Sequence, residues 1–261
     1  MNLGKEERHN LILETLMRHD AVQVSDLATL LEVSTVTIRK DLTELERANR
    51  LYRSHGKAIL INPYINNRTV NEKEKLARGE KDAIGQFAAS MIDNDDSIII
   101  ASGTTVLALA RAIHPGHRLT VISASLQVSE ALAVNEDVDV VQLGGSVRTS
   151  SLSVVGRIAE APLGEFSCSK LFMGVDGIDL EFGITTTDMQ EASLNRVMMH
   201  TAQKTIVLAD SSKFRRRGFA KIANITDVDM IITDSGIPDN IARCIEETGI
   251  ELKIVPVKNN A

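Results

Sequence analysis

The 261-residue sequence contains only two cysteines, Cys168 and Cys244, which lie far apart along the chain. They lack the paired spacing of a cysteine metal site or of a small disulfide-stapled domain, so we expect two free thiols and no disulfide. The histidines His114 and His117 have no further metal ligands nearby in the sequence. We therefore interpret that segment as a loop and expect no bound metal.

Long apolar runs are also missing from the sequence. No stretch is apolar for enough residues to cross a bilayer. Residues 1–9 are mostly polar and charged, and they lack the apolar core that a secretory signal needs. The sequence therefore predicts a cytoplasmic protein with no membrane partner, and no motif in it leads us to expect a cofactor.

A formal net charge of −6 argues against nonspecific nucleic-acid binding by the chain as a whole. One short region is nevertheless basic, with more Lys and Arg residues than acids between Arg39 and Lys57. Its cations are Arg39, Lys40, Arg47, Arg50, Arg53 and Lys57. A solvated helix face often carries such a run, so the charge alone does not distinguish a nucleic-acid site from an ordinary surface.

The N-terminal periodicity predicts three helices followed by two short strands. Residues 5–19 form the first predicted helix, and Ser25 and Asp26 open the second. Ser34 caps a third helix that runs from Thr35 to about residue 48. Its expected inward residues are Val36, Ile38, Leu42 and Leu45, and its expected outward residues are Thr35, Thr37, Arg39 and Lys40. Residues 51–60 predict a β-wing around a glycine turn.

This arrangement is typical of a winged helix-turn-helix, in which the third helix enters the major groove of DNA. Arg39 has the forked donor geometry that recognises guanine, and the other polar residues suit thymine methyl groups or phosphates. The candidate DNA-binding residues are Ser34, Thr35, Thr37, Arg39, Lys40, Arg53 and Lys57. Helical triplets with basic faces also serve as protein-interaction modules, and periodicity alone leaves both interpretations open.

From residue 97 onward, apolar runs alternate with helical patterns. The predicted strands are 98–101, 119–122, 138–143, 171–175, 205–209, 230–233 and 252–255, and the predicted helices between them include 106–113, 126–134, 188–202 and 238–248. Such alternation predicts an open, mostly parallel α/β sheet. We therefore expect a DNA-binding domain at 1–61, a linker at 62–80 and an α/β domain at 81–257.

The first predicted sheet strand leads into Ser102-Gly103-Thr104-Thr105 and then directly into a helix. Free backbone N–H groups at a helix N-terminus, a glycine and several hydroxyls together suit a phosphate, although the same residues also make a good helix cap. Polar loops follow the other strands at this edge, where ligands of open α/β sheets bind. They supply the further candidates Ser125, Gly145, Arg148, Asp176, Glu191 and Lys213.

Two segments carry a resemblance to a known family. Arg8, Ile12 and Leu16 at fixed spacing, followed by Ser34-Thr35-Val36-Thr37-Ile38-Arg39-Lys40-Asp41-Leu42, resemble the signature of the DeoR family of bacterial transcription regulators. The resemblance extends over nearly the whole chain. It implies a sensor domain similar in fold to ribose-5-phosphate isomerase and a sugar-phosphate effector. It further implies that residues 102–105 hold the phosphate, that Lys213 matches the family lysine after Asp-Ser-Ser, and that Asp176 and Glu191 line the sugar side.

The sequence departs from that family pattern at three positions. Lys57 stands where the wing usually has a glycine, and it would be strained if the position needed a positive φ. Ala101 and Ala124 stand where the sensor domain often has Asp and Asn. Both alanines remove a polar side chain, so no specific ligand is carried over.

The resemblance implies a repressor of carbohydrate-metabolism genes that binds operator DNA as a homo-oligomer and is not an enzyme. Two alternatives remain. The acids and bases Asp176, Asp179, Glu191 and Lys213 suit an aldose-ketose phosphate isomerase, but the stretch 183–191 has one glycine where those enzymes use several. The other alternative is an adaptor that binds a protein partner and no small molecule.

Overall fold

The computed structural model describes residues 4–19, 21–47, 50–54, 56–60, 69–93 and 96–257. The chain divides into two units, Met1–Pro63 and Tyr64–Ala261. None of the helices in the described part of the chain combines the length and apolar character that crossing a membrane requires.

The first unit contains the predicted helices and wing. Its helices are α1 (Lys5–Arg18), α2 (Val24–Leu30) and α3 (Thr35–Arg47), and its strands are β1 (Ala21–Gln23), β2 (Leu51–Ser54) and β3 (Lys57–Leu60). Strand β3 lies in the centre and pairs antiparallel with both β1 and β2. The core between helices and sheet includes Ile12, Leu16, Leu27, Ile38, Leu42 and Leu51. Strand β1 was not predicted, because three residues with two of them exposed carry too little pattern.

The prediction that Val36 lies in this core is wrong, because Val36 is 72% exposed. The buried residues of α3 include Ile38, Leu42 and Leu45, which follow the spacing of one helix face. Val36 precedes Ile38 by two residues, which is a rotation of roughly 200° around an α-helix. It therefore lies on the opposite, outward face.

The concern about strain at Lys57 is also resolved. Gly56 has the left-handed φ of 75°, whereas Lys57 begins strand β3 and does not have a positive φ. The wing turn therefore places its glycine where the backbone needs one.

The second unit is built on a seven-stranded sheet. Its helices are α4 (Val70–Glu74), α5 (Arg78–Ala89), α6 (Thr104–Ala112), α7 (Leu126–Leu132), α8 (Arg157–Glu160), α9 (Met189–Thr201) and α10 (Asp239–Glu247). The large sheet contains β4 (Ser97–Ile100), β5 (Leu119–Ser123), β6 (Val138–Gln142), β9 (Cys168–Gly174), β12 (Ala202–Leu208), β14 (Met230–Asp234) and β15 (Glu251–Val255). The remaining strands are β7 (Ser146–Arg148), β8 (Ser153–Val155), β10 (Gly177–Asp179), β11 (Gly183–Thr186) and β13 (Ala220–Ala223).

The large sheet has the order β15-β14-β12-β9-β4-β5-β6, and all its neighbouring strands pair in parallel. The predicted open parallel α/β sheet is confirmed. Alternate residues cover its two faces: Ile99 and Leu171 pack with residues of α9 and α10, whereas Ile98 and Phe172 pack with residues of α5, α6 and α7. The chain therefore buries both faces of the sheet, as parallel sheets require.

Helices α5 and α6 lie unusually close together at Gly85. A Cβ on that glycine would lie 2.6 Å from the backbone carbon of Ala108 and from the backbone nitrogen of Leu109. Only a residue without a side chain allows this approach. The contact fixes α6, and with it the loop at the amino end of α6, against the neighbouring helix.

The segment 62–80 was predicted as a linker. Its described part, residues 69–80, contains helix α4 and the first residues of α5. Thr69 caps α4 by accepting a hydrogen bond from the backbone N–H of Glu72, and the N–H of Val70 donates to the carbonyl of Ser150 at 2.7 Å. This part of the segment is therefore folded against the second unit.

Candidate functional site

The outward face of α3 presents the predicted DNA-binding residues. Ser34 caps the helix, because its Oγ accepts the backbone N–H of Thr37 at 3.1 Å and lies 2.9 Å from the Thr37 hydroxyl. Thr35, Arg39 and Lys40 are exposed. The structure thus brings these three side chains to the surface, while Ser34 and Thr37 are engaged with each other.

The two predicted cations of the wing, Arg53 and Lys57, differ in their contacts. The Arg53 guanidinium pairs with Glu46, with Nη2 at 2.7 Å and Nε at 3.0 Å from Oε2. The other oxygen of Glu46 accepts the backbone N–H of Arg53 at 3.0 Å. Lys57 is exposed at the start of β3. Arg53 is therefore already neutralised by a carboxylate, and Lys57 is the freer cation.

The loop after β4 leads directly into the amino end of α6. Gly103 has a φ of 128°, and its carbonyl accepts the N–H of Leu107 at 3.0 Å as α6 begins. The N–H groups of the first helical turn have no acceptor within the helix, because their partners would lie before its start. These donors, with the positive end of the helix dipole, therefore lie at the end of α6 that begins with Thr104 and Thr105.

A small cavity of about 50 Å³ lies at this loop. Its walls come from the carboxyl ends of neighbouring parallel strands, since β9 leads to Asp176 and β12 leads to Lys213. The lining includes Val70, Lys73, Ser102, Gly103, Thr104, Thr105, Ser150, Ser151, Asp176, Thr186, Glu191, Asn195 and Lys213. Seven predicted effector residues, namely Ser102, Gly103, Thr104, Thr105, Asp176, Glu191 and Lys213, therefore surround one space.

Asp176 is the buried carboxylate of this cavity. Lys73 of α4 donates a hydrogen bond from Nζ to its Oδ1 at 2.6 Å. Burial disfavours the charged form of Asp176, but the positive charges of Lys73 and Lys213 outweigh that effect and hold its pKa below the ordinary value. Asp176 is therefore a stable anion that is paired with a lysine.

Glu191 lies on the other side of the same space. The Thr186 hydroxyl is 3.2 Å from Oδ2 of Asp176 and 3.1 Å from Oε2 of Glu191, and its single proton serves one carboxylate at a time. Arg148 pairs with Glu191 at 3.3 Å and with Asp188 at 3.3 Å. Arg148 does not line the cavity, and it reaches the site through Glu191.

Lys81 of α5 contacts the backbone of Lys73, which is one of the residues that line the cavity. It is only 4% exposed, and its ammonium donates to the carbonyls of Lys73 and Leu76. Burial lowers the pKa of Lys81 to about 8, although the charge of Asp210 opposes the shift. Lys81 therefore joins α5 to the end of α4 and adds a positive charge beside Lys73.

Two predicted effector residues have other contacts. Ser125 is buried and caps α7, since its Oγ accepts the N–H of Val128 at 3.3 Å. Gly145 has a φ of 139°, and a Cβ there would lie 2.9 Å from the carbonyl oxygen of Val155. Neither residue is part of the cavity lining. Both have a structural reason for their identity, because Ser125 caps the start of a helix and Gly145 permits a close backbone approach.

Sequence reasoning missed Lys73, which lines the cavity, and Lys81, which contacts the backbone of Lys73. Lys81 had a detectable signal, because it shares the buried face of α5 with Ile84, Gly85 and Ala88. A lysine on an apolar helix face requires a buried partner, which points to a site. Lys73 had no such signal, since it lies in a polar segment and its partner Asp176 is far away in sequence.

Both parts of the chain match known protein families. A family model for the DeoR-like helix-turn-helix domain matches residues 8–64, and a model for the DeoR C terminal sensor domain matches residues 77–235.

Relatives align over nearly the full chain. A protein of Escherichia coli O157:H7, whose name links it to transcriptional repression of the aga operon, is 36% identical over 97% of this chain and 94% of its own. The HTH-type transcriptional repressor GlcR of Bacillus subtilis strain 168 is 31% identical over 96% of both chains. The transcriptional repressor AccR of Agrobacterium fabrum is 32% identical over 88% of this chain and 90% of its own.

Among solved structures, ribose 5-phosphate isomerase A from Neisseria gonorrhoeae aligns with 51% of this chain and 52% of its own. The identity is 18% and the TM-score is 0.39. The Pyrococcus horikoshii translation initiation factor eIF-2B aligns with 82% of this chain and 68% of its own, at 18% identity and a TM-score of 0.41. Likeness at this level says nothing about activity.

Proposed function

Since this chain belongs to the DeoR family of DNA-binding transcription regulators, we propose that it represses carbohydrate-metabolism genes and is released by a phosphorylated sugar or related metabolite. The observation that carries the proposal is the convergence of a helix N-terminus, Gly103 and two lysines on one cavity. Relatives named as repressors support the sign of the regulation. A regulator of this kind acts on chromosomal DNA, so we place it in the cytoplasm.

The operator-reading half of the proposal rests on α3. Arg39 is exposed near the amino end of the helix, where a recognition helix contacts base edges. Its forked guanidinium matches the O6 and N7 acceptors of guanine, whereas Lys40 and Lys57 suit phosphate oxygens. Arg39→Ala should cost about 1–3 kcal/mol of specific binding without unfolding the domain. Unchanged operator affinity in that variant would remove Arg39 as a base reader.

The effector half rests on the charge arrangement of the cavity. A phosphate bound at the first turn of α6 would meet N–H donors, the hydroxyls of Thr104 and Thr105, and the ammonium of Lys213. Asp176 and Glu191 would accept hydrogen bonds from the hydroxyls of the organic portion. The cavity has a volume of about 50 Å³ and is open to solvent. A ligand that enters it more strongly in one conformation of the lining residues than in another would shift the chain towards that conformation, and this shift is the expected source of allosteric coupling.

The test is a titration of the full chain against labelled duplex from its own upstream region and against an unrelated duplex, at one fixed salt concentration. Each titration is repeated with a panel of sugar phosphates. We expect one phosphosugar to weaken binding to the upstream duplex by a factor that corresponds to about 1–3 kcal/mol of coupling. Equal, weak binding to both duplexes would contradict the proposal.

A matched pair of lysine variants locates the effector. Lys213→Ala should abolish thermal stabilisation by the active phosphosugar and leave operator affinity unchanged. Lys75→Ala removes an exposed lysine outside the cavity lining and should leave both properties intact. Stabilisation retained in Lys213→Ala would move the ligand elsewhere, and no stabilisation by any phosphosugar would favour the adaptor alternative.

The isomerase alternative has one supporting observation, which is that Asp176, Glu191 and Lys213 line the same cavity. Aldose-ketose interconversion needs a base that is free to take a proton from carbon. Glu191 is instead held by Arg148 and Thr186, so we propose that the site binds without turnover. Measurable interconversion of a sugar phosphate that is lost in Glu191→Ala would contradict this proposal and support the isomerase alternative.

We also propose that the regulator is a homo-oligomer. Helix-turn-helix proteins meet pseudo-palindromic operators with two recognition helices roughly 34 Å apart. Light scattering of the purified protein, alone and on a palindromic duplex, tests this. A monomer in both conditions would contradict it.

A further inference from the structure

We propose that Val36 reads the 5-methyl group of a thymine in the major groove and so selects an A·T pair at one position of each operator half-site. This inference rests on the proposed function, because it takes α3 as the recognition helix. It assigns a role to a residue whose position the sequence pattern had misjudged.

The placement of Val36 fits base contact. It occupies the first turn of α3 and is 72% exposed. Arg39 and Lys40 follow it at spacings of three and four residues, and both are exposed. Residues at these spacings share one helix face. Val36 therefore leads the same outward stripe as the cations, at the end of the helix that approaches base edges.

The stability of the helix does not explain a valine here. An exposed valine gains nothing from burial in the core, and its β-branched side chain is a poorer helix former than Glu, Lys or Ala. The first turn of α3 also contains no acidic residue, although an acid there would favour the helix dipole. An acid would repel DNA phosphates, whereas an aliphatic side chain would not. Both features suit a surface that meets DNA.

Chemistry then identifies the group that Val36 contacts. In the major groove the thymine methyl is the apolar group that distinguishes a T·A pair from the others, and aliphatic side chains contact it. The isopropyl group of Val36 cannot donate or accept a hydrogen bond, so it cannot read the polar edges of guanine, cytosine or adenine. Arg39, one turn further along, remains available for guanine.

The test uses the full chain and a duplex selected by it from a random pool. Each thymine of the selected half-site is replaced in turn by deoxyuridine, which removes the methyl group alone. Loss of one buried methyl contact should weaken binding by the wild-type protein about fourfold at a single position. Val36→Ala should bind the thymine and uracil duplexes equally.

Two variants complete the design. Leu30→Ala removes another exposed aliphatic side chain, 60% exposed at the end of α2, and should keep the full uracil effect. Thr35→Ser removes the methyl group of the neighbouring residue and should also keep it. The inference is overturned if no thymine shows the effect, if the effect persists in Val36→Ala, or if it disappears in Thr35→Ser instead. Failure to select any sequence would instead overturn operator reading itself, and the inference with it.

Discussion

Arg8 donates two hydrogen bonds to Asp41, from Nε to Oδ2 at 2.8 Å and from Nη2 to Oδ1 at 2.9 Å. The pair joins α1 to the buried side of α3, and the Asp41 side chain is only 3% exposed. Both residues belong to the signature that marks this chain as a regulator. Their geometry shows that the pair fixes α3 against α1.

Removing the carboxylate should therefore destabilise the first unit. In Asp41→Ala the largely buried guanidinium of Arg8 loses its counter-charge, and we expect a cost of about 3 kcal/mol. Lys5→Ala breaks the exposed pair with Glu44 on the same two helices and should cost under about 1 kcal/mol. Amide hydrogen exchange of α1 and α3 in the full chain measures both. Equal effects of the two variants would contradict the assignment.

The same pair should make the stability of the first unit depend on pH in the acid range. Burial opposes ionisation of Asp41, but the hydrogen bonds and charge of Arg8 outweigh it and lower its pKa below the ordinary value of 3.8. A lowered folded pKa contributes stability that is present above pH 3.8 and is lost as the pH falls through the folded value. The stability difference between wild type and Asp41→Asn should therefore shrink as the pH falls below about 4. A difference that stays constant down to pH 2 would show that the charge is not involved.

Gly85→Ala tests the close approach of α5 and α6. The added methyl would overlap the backbone at Ala108 and Leu109, so we expect a loss of about 2–3 kcal/mol in the free energy of unfolding. Gly79→Ala adds the same methyl to the same helix in ordinary contact with Val257, 3.7 Å away, and should be neutral or stabilising by up to about 1 kcal/mol. Urea unfolding of the second unit provides the comparison. A Gly85→Ala protein as stable as Gly79→Ala would mean that the helices separate without cost.

Lys81 should make the stability of the second unit depend on pH in the alkaline range. Its pKa is about 8 in the folded chain and 10.5 in the unfolded chain. Between these values the unfolded state binds the extra proton, so this group makes the free energy of unfolding rise with pH. Relative to Lys81→Met, the wild type should gain about 3 kcal/mol between pH 8 and pH 10.5. A wild-type curve parallel to that of Lys81→Met would show that the lysine titrates normally.

Glu46→Gln should increase the affinity for DNA. Glu46 neutralises the guanidinium of Arg53, and the glutamine amide oxygen can still accept the backbone N–H of Arg53. The released cation becomes available to a phosphate, so the slope of log K against log salt should steepen by about 0.9. Lys57→Ala should flatten the slope by a similar amount. Unchanged slopes would place the wing away from the phosphates.

The sequence predicted the elements that carry a strong local pattern. The large sheet was predictable because strands such as β4 and β14 are continuous apolar runs, which parallel sheets need when both faces are buried. The strands β7, β10 and β11 are short and pair antiparallel outside that sheet. They were not predicted, because their registers depend on neighbours that no local pattern contains.

The candidate site divides in the same way. The loop 102–105 could be identified because strand, glycine and helix cap are adjacent in sequence. Lys73 and Asp176 lie on segments that only the fold brings together. Charge counting likewise does not show that the Arg53 guanidinium is paired with Glu46. The sequence thus indicated which charged and polar residues the chain has. Only the structure shows which of them are paired with each other.

The pairing of β4 with β9 has a consequence for newly made protein. Ile100 pairs with Phe172, so the wall opposite the loop 102–105 comes from residues that leave the ribosome much later. Contacts between such distant segments form slowly compared with local ones. A nascent chain ending after β6 would have a complete helix-turn-helix sequence but neither Asp176 nor Lys213. Each new molecule would therefore complete its helix-turn-helix before the cavity beside the loop 102–105 exists.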